Sequence, residues 1–190
     1  MPAPDSSLIG KVARQLTQAP AYSEAVGVRG SLLSVAASSY GWKSEDDDHT
    51  QPTGFDPDAA RLFEAVVEGA FLVANADGEF DATEQAAFQH VVVSACAGRV
   101  AERQVSALLA DLQDQLDEDG MQKRITVVAR AITREDHARE VLRVSSLLAY
   151  VSGGVSSVER EVLDKLAAEF KLTDAAVEQA IEEAAHALTE

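Results

Sequence analysis

Val73-Ala-Asn-Ala-Asp-Gly-Glu-Phe-Asp-Ala-Thr-Glu84 and Leu148-Ala-Tyr-Val-Ser-Gly-Gly-Val-Ser-Ser-Val-Glu159 are two versions of one pattern, and they decide the fold. Asp77 stands over Ser152, Gly78 over Gly153, Phe80 over Val155, Asp81 over Ser156 and Glu84 over Glu159. The flanks keep the register: Val66 over Val141, Val67 over Leu142, Ala74 over Ala149, Phe88 over Leu163 and Val91 over Leu166. Apolar residues at three- and four-residue spacing on both sides of a glycine define helix, turn, helix. A repeated unit of this kind cannot bury its apolar face alone, so the two hairpins are expected to pack about an approximate two-fold axis around one core.

From Gly54 onward the apolar spacing is helical, without the sustained alternation of strands. A first helix starts at Asp56-Pro57, a capping residue followed by the residue best suited to the first helical position. It carries Leu62, Phe63, Val66, Val67, Ala70, Phe71 and Val73. Asp81 with Glu84 three residues on is a capping box for a second helix, which presents Phe88, Val91, Val92 and Ala95 and stops at Gly98. A third runs from about Val100 to Leu116, and Asp119-Gly120 turns into a fourth with Ile125, Val127, Val128 and Ile132. Thr133 with Asp136 opens a fifth, Ser156 with Glu159 a sixth, and Thr173 a seventh ending near Leu188. The expectation is an all-α domain over 54–190, a bundle of about seven helices with short connections.

Residues 1–53 read differently, as a flexible, partly helical N-terminal extension. Leu8, Ile9, Val12 and Leu16 mark a short amphipathic helix, and Gly30 to Gly41 is rich in Ser and Ala. Such small residues pack closely against another helix, in a bilayer or on a partner. Ser44 to Gly54 has acidic, Pro and Gly character with no apolar period, the composition of a linker.

The whole chain has 190 residues, 46% hydrophobic and 25% charged, which suits one medium domain with an appendage. Its formal charge of -16 repels phosphate backbones and anionic lipid, so nucleic acid is excluded as a partner. The single cysteine, Cys96, allows neither a disulfide framework nor a multi-cysteine zinc site, and its neighbours place it among core atoms. No apolar run is long enough to span a bilayer and no secretory leader is visible. The expected location is the cytoplasm, with peripheral membrane contact through residues 1–53 as the one membrane option.

The first glycine turn concentrates chemistry. Asp77, Glu79, Asp81 and Glu84 are four carboxylates within eight residues. Hard divalent cations take several oxygen ligands from a compact loop, and with Gly78 as the loop glycine the stretch approaches the calcium loop of an EF-hand. Val73 stands where the first ligand belongs, so a true EF-hand is rejected in favour of a looser oxygen site. The competing reading is that Asp77-Gly78 closes one helix while Asp81 and Glu84 cap the next, with no ion. In the second turn Ser152 and Ser156 replace the aspartates and Glu159 remains.

Catalytic signatures are absent: His49, His90, His137 and His186 are scattered, and no phosphate loop, nucleophile elbow or dinucleotide fingerprint occurs. Three functions stay open on residues alone: a metal-responsive interaction module, a structural helical adaptor without metal, and a small hydrolase using a carboxylate pair.

Glu64 to Glu84, together with Val141 to Glu159, resembles the tellurite-resistance TerB family and its TerB-like relatives, over about positions 58 to 190. The resemblance implies an all-helical bacterial domain without catalysis that binds a divalent metal, calcium in the first place, in a stress-response or membrane-linked complex with protein partners. By position the implied metal ligands are Asp77, Glu79, Asp81 and Glu84. Direct capture of the tellurite anion by so acidic a surface is opposed by charge.

Overall fold

A computed structural model describes residues 6–19, 31–41 and 56–189. These form nine α-helices and one 3-10 turn, with no strand among the described residues. The helices are α1 (Ser6–Thr17), α2 (Leu32–Tyr40), α3 (Pro57–Ala74), α4 (Ala82–Ala95), α5 (Glu102–Asp119), α6 (Met121–Ala131), α7 (Glu135–Ala149), α8 (Ser157–Glu169) and α9 (Asp174–Thr189); the 3-10 turn is Tyr150–Ser152. The seven helices expected over 54–190 are α3 to α9.

α3 is the central element, packed by α2, α5, α6, α7 and α8. Its start is capped as the residues require: the Asp56 carboxylate accepts from the Asp58 and Ala59 amides, and Pro57 occupies the first turn. Phe63, Val66, Val67, Ala70, Phe71, Leu72 and Val73 are all buried, so α3 is covered nearly all round. α3 and α7, the equivalent helices of the repeat, touch directly. At Gly69 a Cβ would stand 2.6 Å from Val141 Cγ1, so glycine sets how closely the two helices approach.

Buried ion pairs support the two hairpins. Glu68 on α3 accepts from Arg124 on α6 at 2.7 Å, and Asp119 takes a second Arg124 nitrogen at 3.1 Å. Burial pushes the Glu68 carboxyl above the usual range, against the lowering effect of Arg124. On α7, Arg143 binds both oxygens of Glu140 at 2.7 Å. Glu68 and Arg143 occupy the same register of the repeat with opposite charge.

The N-terminal extension is partly helical, as expected, and its helices α1 and α2 join the hydrophobic core of the bundle. Val12, Leu16, Leu33 and Ala37 have no exposed surface, and Tyr40 stacks at 4.6 Å on Phe63. The small residues of 31–41 therefore serve helix packing against α3, with Ser31 capping α2 through the Ser34 amide. The linker expected over 44–54, with His49, lies outside the described residues. One expectation changes, at α7: Thr133 is not its cap. Arg134 takes the capping position with no side-chain cap bond, and its guanidinium donates to Asp136 through two bonds of 2.9 and 2.6 Å.

Candidate functional site

The first turn follows from three local decisions. α3 ends at Asn75, whose side-chain amide donates back to the Phe71 carbonyl at 3.3 Å and is buried. Asn75 is thereby a helix terminator. Gly78 then adopts φ 79°, a left-handed conformation suited to glycine. Phe80 anchors the far side, edge-on to Phe71 at 5.7 Å and to Phe88 at 5.8 Å, and so pins the turn between α3 and α4.

The four carboxylates divide by what holds them. Asp81 caps α4: one oxygen accepts from the Thr83 amide at 2.7 Å and the Glu84 amide at 2.9 Å. Those donors, Glu84 first and Thr83 next, hold the Asp81 carboxyl below the ordinary aspartate range. Glu84 completes the box by accepting from the Asp81 amide at 3.1 Å. Asp77 accepts from the Glu79 amide at 2.9 Å, a local turn closed by the side chain. Glu79 is exposed.

The second turn repeats the device with different chemistry. Tyr150–Ser152 winds as a 3-10 turn, and Gly153 and Gly154 take φ 120° and 109°. The Gly154 amide donates to Ala149 and the Ser152 hydroxyl to the same carbonyl. Ser156 caps α8 by accepting from the Glu159 amide at 3.3 Å, while Glu159 accepts from the Ser156 amide at 2.7 Å. Unlike Glu84, Glu159 is buried, 8% exposed.

The fold brings the turns face to face across an open cleft of about 530 Å³. Asp77, Glu79 and Glu84 line one side; Ser152, Gly154, Ser156 and Glu159 line the other. Three of the four carboxylates singled out from sequence thus share this surface, and Asp81 does not line it. Glu159 is the functional candidate that sequence reasoning passed over, although the repeat already paired it with Glu84. Its contribution is legible only once α3 and α7 are known to lie side by side.

These carboxylate oxygens are of the kind that a hard divalent cation takes, but they do not form a ready cage. Among the described residues no three His, Cys, Asp or Glu side chains are arranged to hold one metal ion. No described histidine lines the cleft. His90 and His186 are exposed, and His137 on α7 is half-buried, its imidazole pushed down by burial. Cys96 is buried and its thiol pushed up to about 12 by desolvation, so at neutral pH it is an inert core atom.

Fold and site together define a class: an all-helical module of two capped hairpins that meet at their glycine turns. The family model described as Tellurite resistance protein TerB matches residues 63–182, from within α3 to within α9, and the chain belongs to that family. No curated protein and no solved structure matches the chain significantly. No described helix is long and apolar enough to cross a membrane.

Proposed function

We propose that this chain is a non-enzymatic interaction module that works through the cleft between its two turns, in a stress-response complex with a protein partner. The carrying observation is that turns from distant parts of the sequence face one another across a single cleft walled by Asp77, Glu79, Glu84 and Glu159. The family description, a tellurite resistance protein, supports the setting. A concave surface with carboxylates on both walls favours a positively charged guest.

Within that reading the guest is a divalent cation, calcium first, because the donors are carboxylate oxygens. Asp77 and Glu79 are exposed, Asp77 held by the single Glu79 amide, whereas Asp81 is committed to two amides. A site assembled from side chains that must first gather belongs at the weak end of calcium affinities, about millimolar. At ten times that dissociation constant, calcium stabilises the fold by about 1.4 kcal/mol. The matching rise in melting temperature is about 3–6 °C. Replacing Asp77 and Glu79 together by alanine abolishes the rise and the calorimetric heat.

A second reading, a helical adaptor without metal, is favoured by the capping box, which accounts for Asp81 and Glu84 with no ion. It predicts identical melting in calcium and in chelator. Partner capture from the host is then lost on Glu79→Lys while the melting curve is unchanged. Absence of both the calcium response and the Glu79→Lys effect eliminates the cleft as the working surface.

A further inference from the structure

α1 is chemically unlike the surface that holds it. In a chain of net charge -16 it carries Lys11 and Arg14 and no carboxylate. It lies outside the family match over 63–182, yet it packs against α2, α4, α7, α9 and the Tyr150–Ser152 turn. Val12 and Leu16, one helical turn apart, are fully buried there, with Ala13 beside them.

Several of its polar attachments join helix ends, among them the Ser31 amide at the start of α2, which donates to the Thr17 carbonyl at 3.3 Å. Lys11 Nζ donates to the Leu188 carbonyl at 3.2 Å and Gln15 Nε2 to the Ala187 carbonyl at 3.1 Å. Those carbonyls belong to the last turn of α9, where no intrahelical donor remains. In return Arg143 donates to the Gln15 and Gln18 carbonyls at the C-terminal end of α1, both at 3.3 Å. Arg143 is buried and already fixed by the two oxygens of Glu140, so the bundle presents a prepared reader for a helix C-terminus. An apolar pair at i and i+4 is the anchor pattern of a helix in a groove, and here the Arg143 guanidinium adds contacts to the carbonyls at its end.

α1 is also poorly equipped to persist alone. Twelve residues are too few for a stable isolated helix, and Gly10 in its interior weakens it further. A Cβ at Gly10 would meet nothing within 4 Å, so packing does not require this glycine.

We propose that α1 is a detachable strap: residues 6–17 occupy a helix-binding groove formed by α2, α4, α7, α9 and the Tyr150–Ser152 turn, and leave it without unfolding the bundle. The groove's occupant is the chain's own α1. Since Tyr150–Ser152 runs into the second wall of the cleft, release removes a neighbour from that wall; this link alone rests on the cleft reading above.

Hydrogen exchange of the full chain tests the strap directly. The amides of residues 12–17 are expected to exchange at least tenfold faster than those of α3 and α7, because local opening is easier than global unfolding. Gly10→Ala slows exchange in α1 about fivefold, by improving helix propensity at a site with room for the methyl, and leaves α3 and α7 unchanged. Equal rates in α1, α3 and α7 of the wild type overturn the proposal, since α1 would then open only with the whole fold. In the chain with Leu16→Asp, protection is lost in α1 and kept in α3 and α7, and a fluorescent peptide of residues 6–19 binds saturably while its own Leu16→Asp version does not. Failure of the peptide to bind that folded variant sinks the groove. Should the variant not fold, the wild-type and Gly10→Ala exchange rates decide the matter.

Discussion

The two glycine turns share a skeleton and differ in everything attached to it. Each ends a core helix, passes through glycine at positive φ and enters the next helix through a capping box, Asp81 with Glu84 and Ser156 with Glu159. The first turn adds charge, Asp77 and Glu79; the second puts Ser152 and Gly154 in the corresponding places. What the copies share is therefore the fold's requirement, the satisfaction of orphan amides at a helix start. What only the first has is available for a guest. Glutamate three residues into a helix is accordingly weak evidence for a ligand site, and the exposed Asp77 and Glu79 are better candidates than the more eye-catching Asp81.

The same contrast runs through the buried charges, and breaking it there has the largest expected effect. Glu68 and Arg143 share a register, but Glu68 depends on a charged partner from α6 while the carboxylate that Arg143 binds, Glu140, lies within α7. Arg124→Met leaves Glu68 buried and unpaired, at a cost of about 3–5 kcal/mol in urea unfolding at neutral pH. Adding Glu68→Leu recovers most of the loss, because a packed apolar pair replaces an uncompensated charge. The pH dependence has a definite sign. Burial already raises the Glu68 carboxyl, and losing Arg124 raises it further, so the native state binds a proton more readily than the unfolded chain. Relative to wild type, the Arg124→Met deficit shrinks as pH falls through the Glu68 titration and is largest above it. A deficit independent of pH would show that Arg124 acts by packing alone.

A smaller effect separates the anchors of the turns. Phe80 makes two edge-on ring contacts where the second copy has Val155, so Phe80→Ala is expected to cost about 3 kcal/mol and Val155→Ala about 1 kcal/mol. Equal losses in chemical denaturation would mean that the first turn is held by its capping box rather than by its ring.

The readability of this chain followed the range of the interactions. Capping residues, helix periods and glycine stops act within one turn of the chain, and the seven helices of 54–190 were accordingly legible, as was the repeat. Thr133 fits the capping pattern with Asp136, but α7 starts beyond Arg134 without a side-chain cap, the Asp136 carboxylate being engaged by the Arg134 guanidinium. Val12, Leu16, Leu33 and Ala37 could be assigned to apolar faces but not to a core, since nothing local names the surface they meet. Gly41 is the clearest case: a Cβ there would fall 1.7 Å from the Arg99 carbonyl, a contact between residues far apart in sequence. The cleft is non-local in the same way, and for that reason Glu159 looked like a spare cap until α3 and α7 placed both turns on one surface.

The smallest predicted effect isolates the caps themselves. The Asp81 carboxylate is stabilised by the amides of Glu84 and Thr83, so its folded-state pKa lies below its unfolded value near 3.9. A group lowered in this way contributes stability above the unfolded pKa and loses it as pH falls through the folded one. Ser156, its counterpart, carries no such titration. Asp81→Ser turns the first cap into the second, keeps an oxygen for the amides and removes the acid-sensitive contribution. Thermal melting followed from pH 6 to pH 2 should show wild type slightly above Asp81→Ser at the upper end, with the gap closing as the carboxylate is protonated. A gap that stays constant with pH would assign the preference for aspartate at this turn to geometry and withdraw charge from the explanation of the cap.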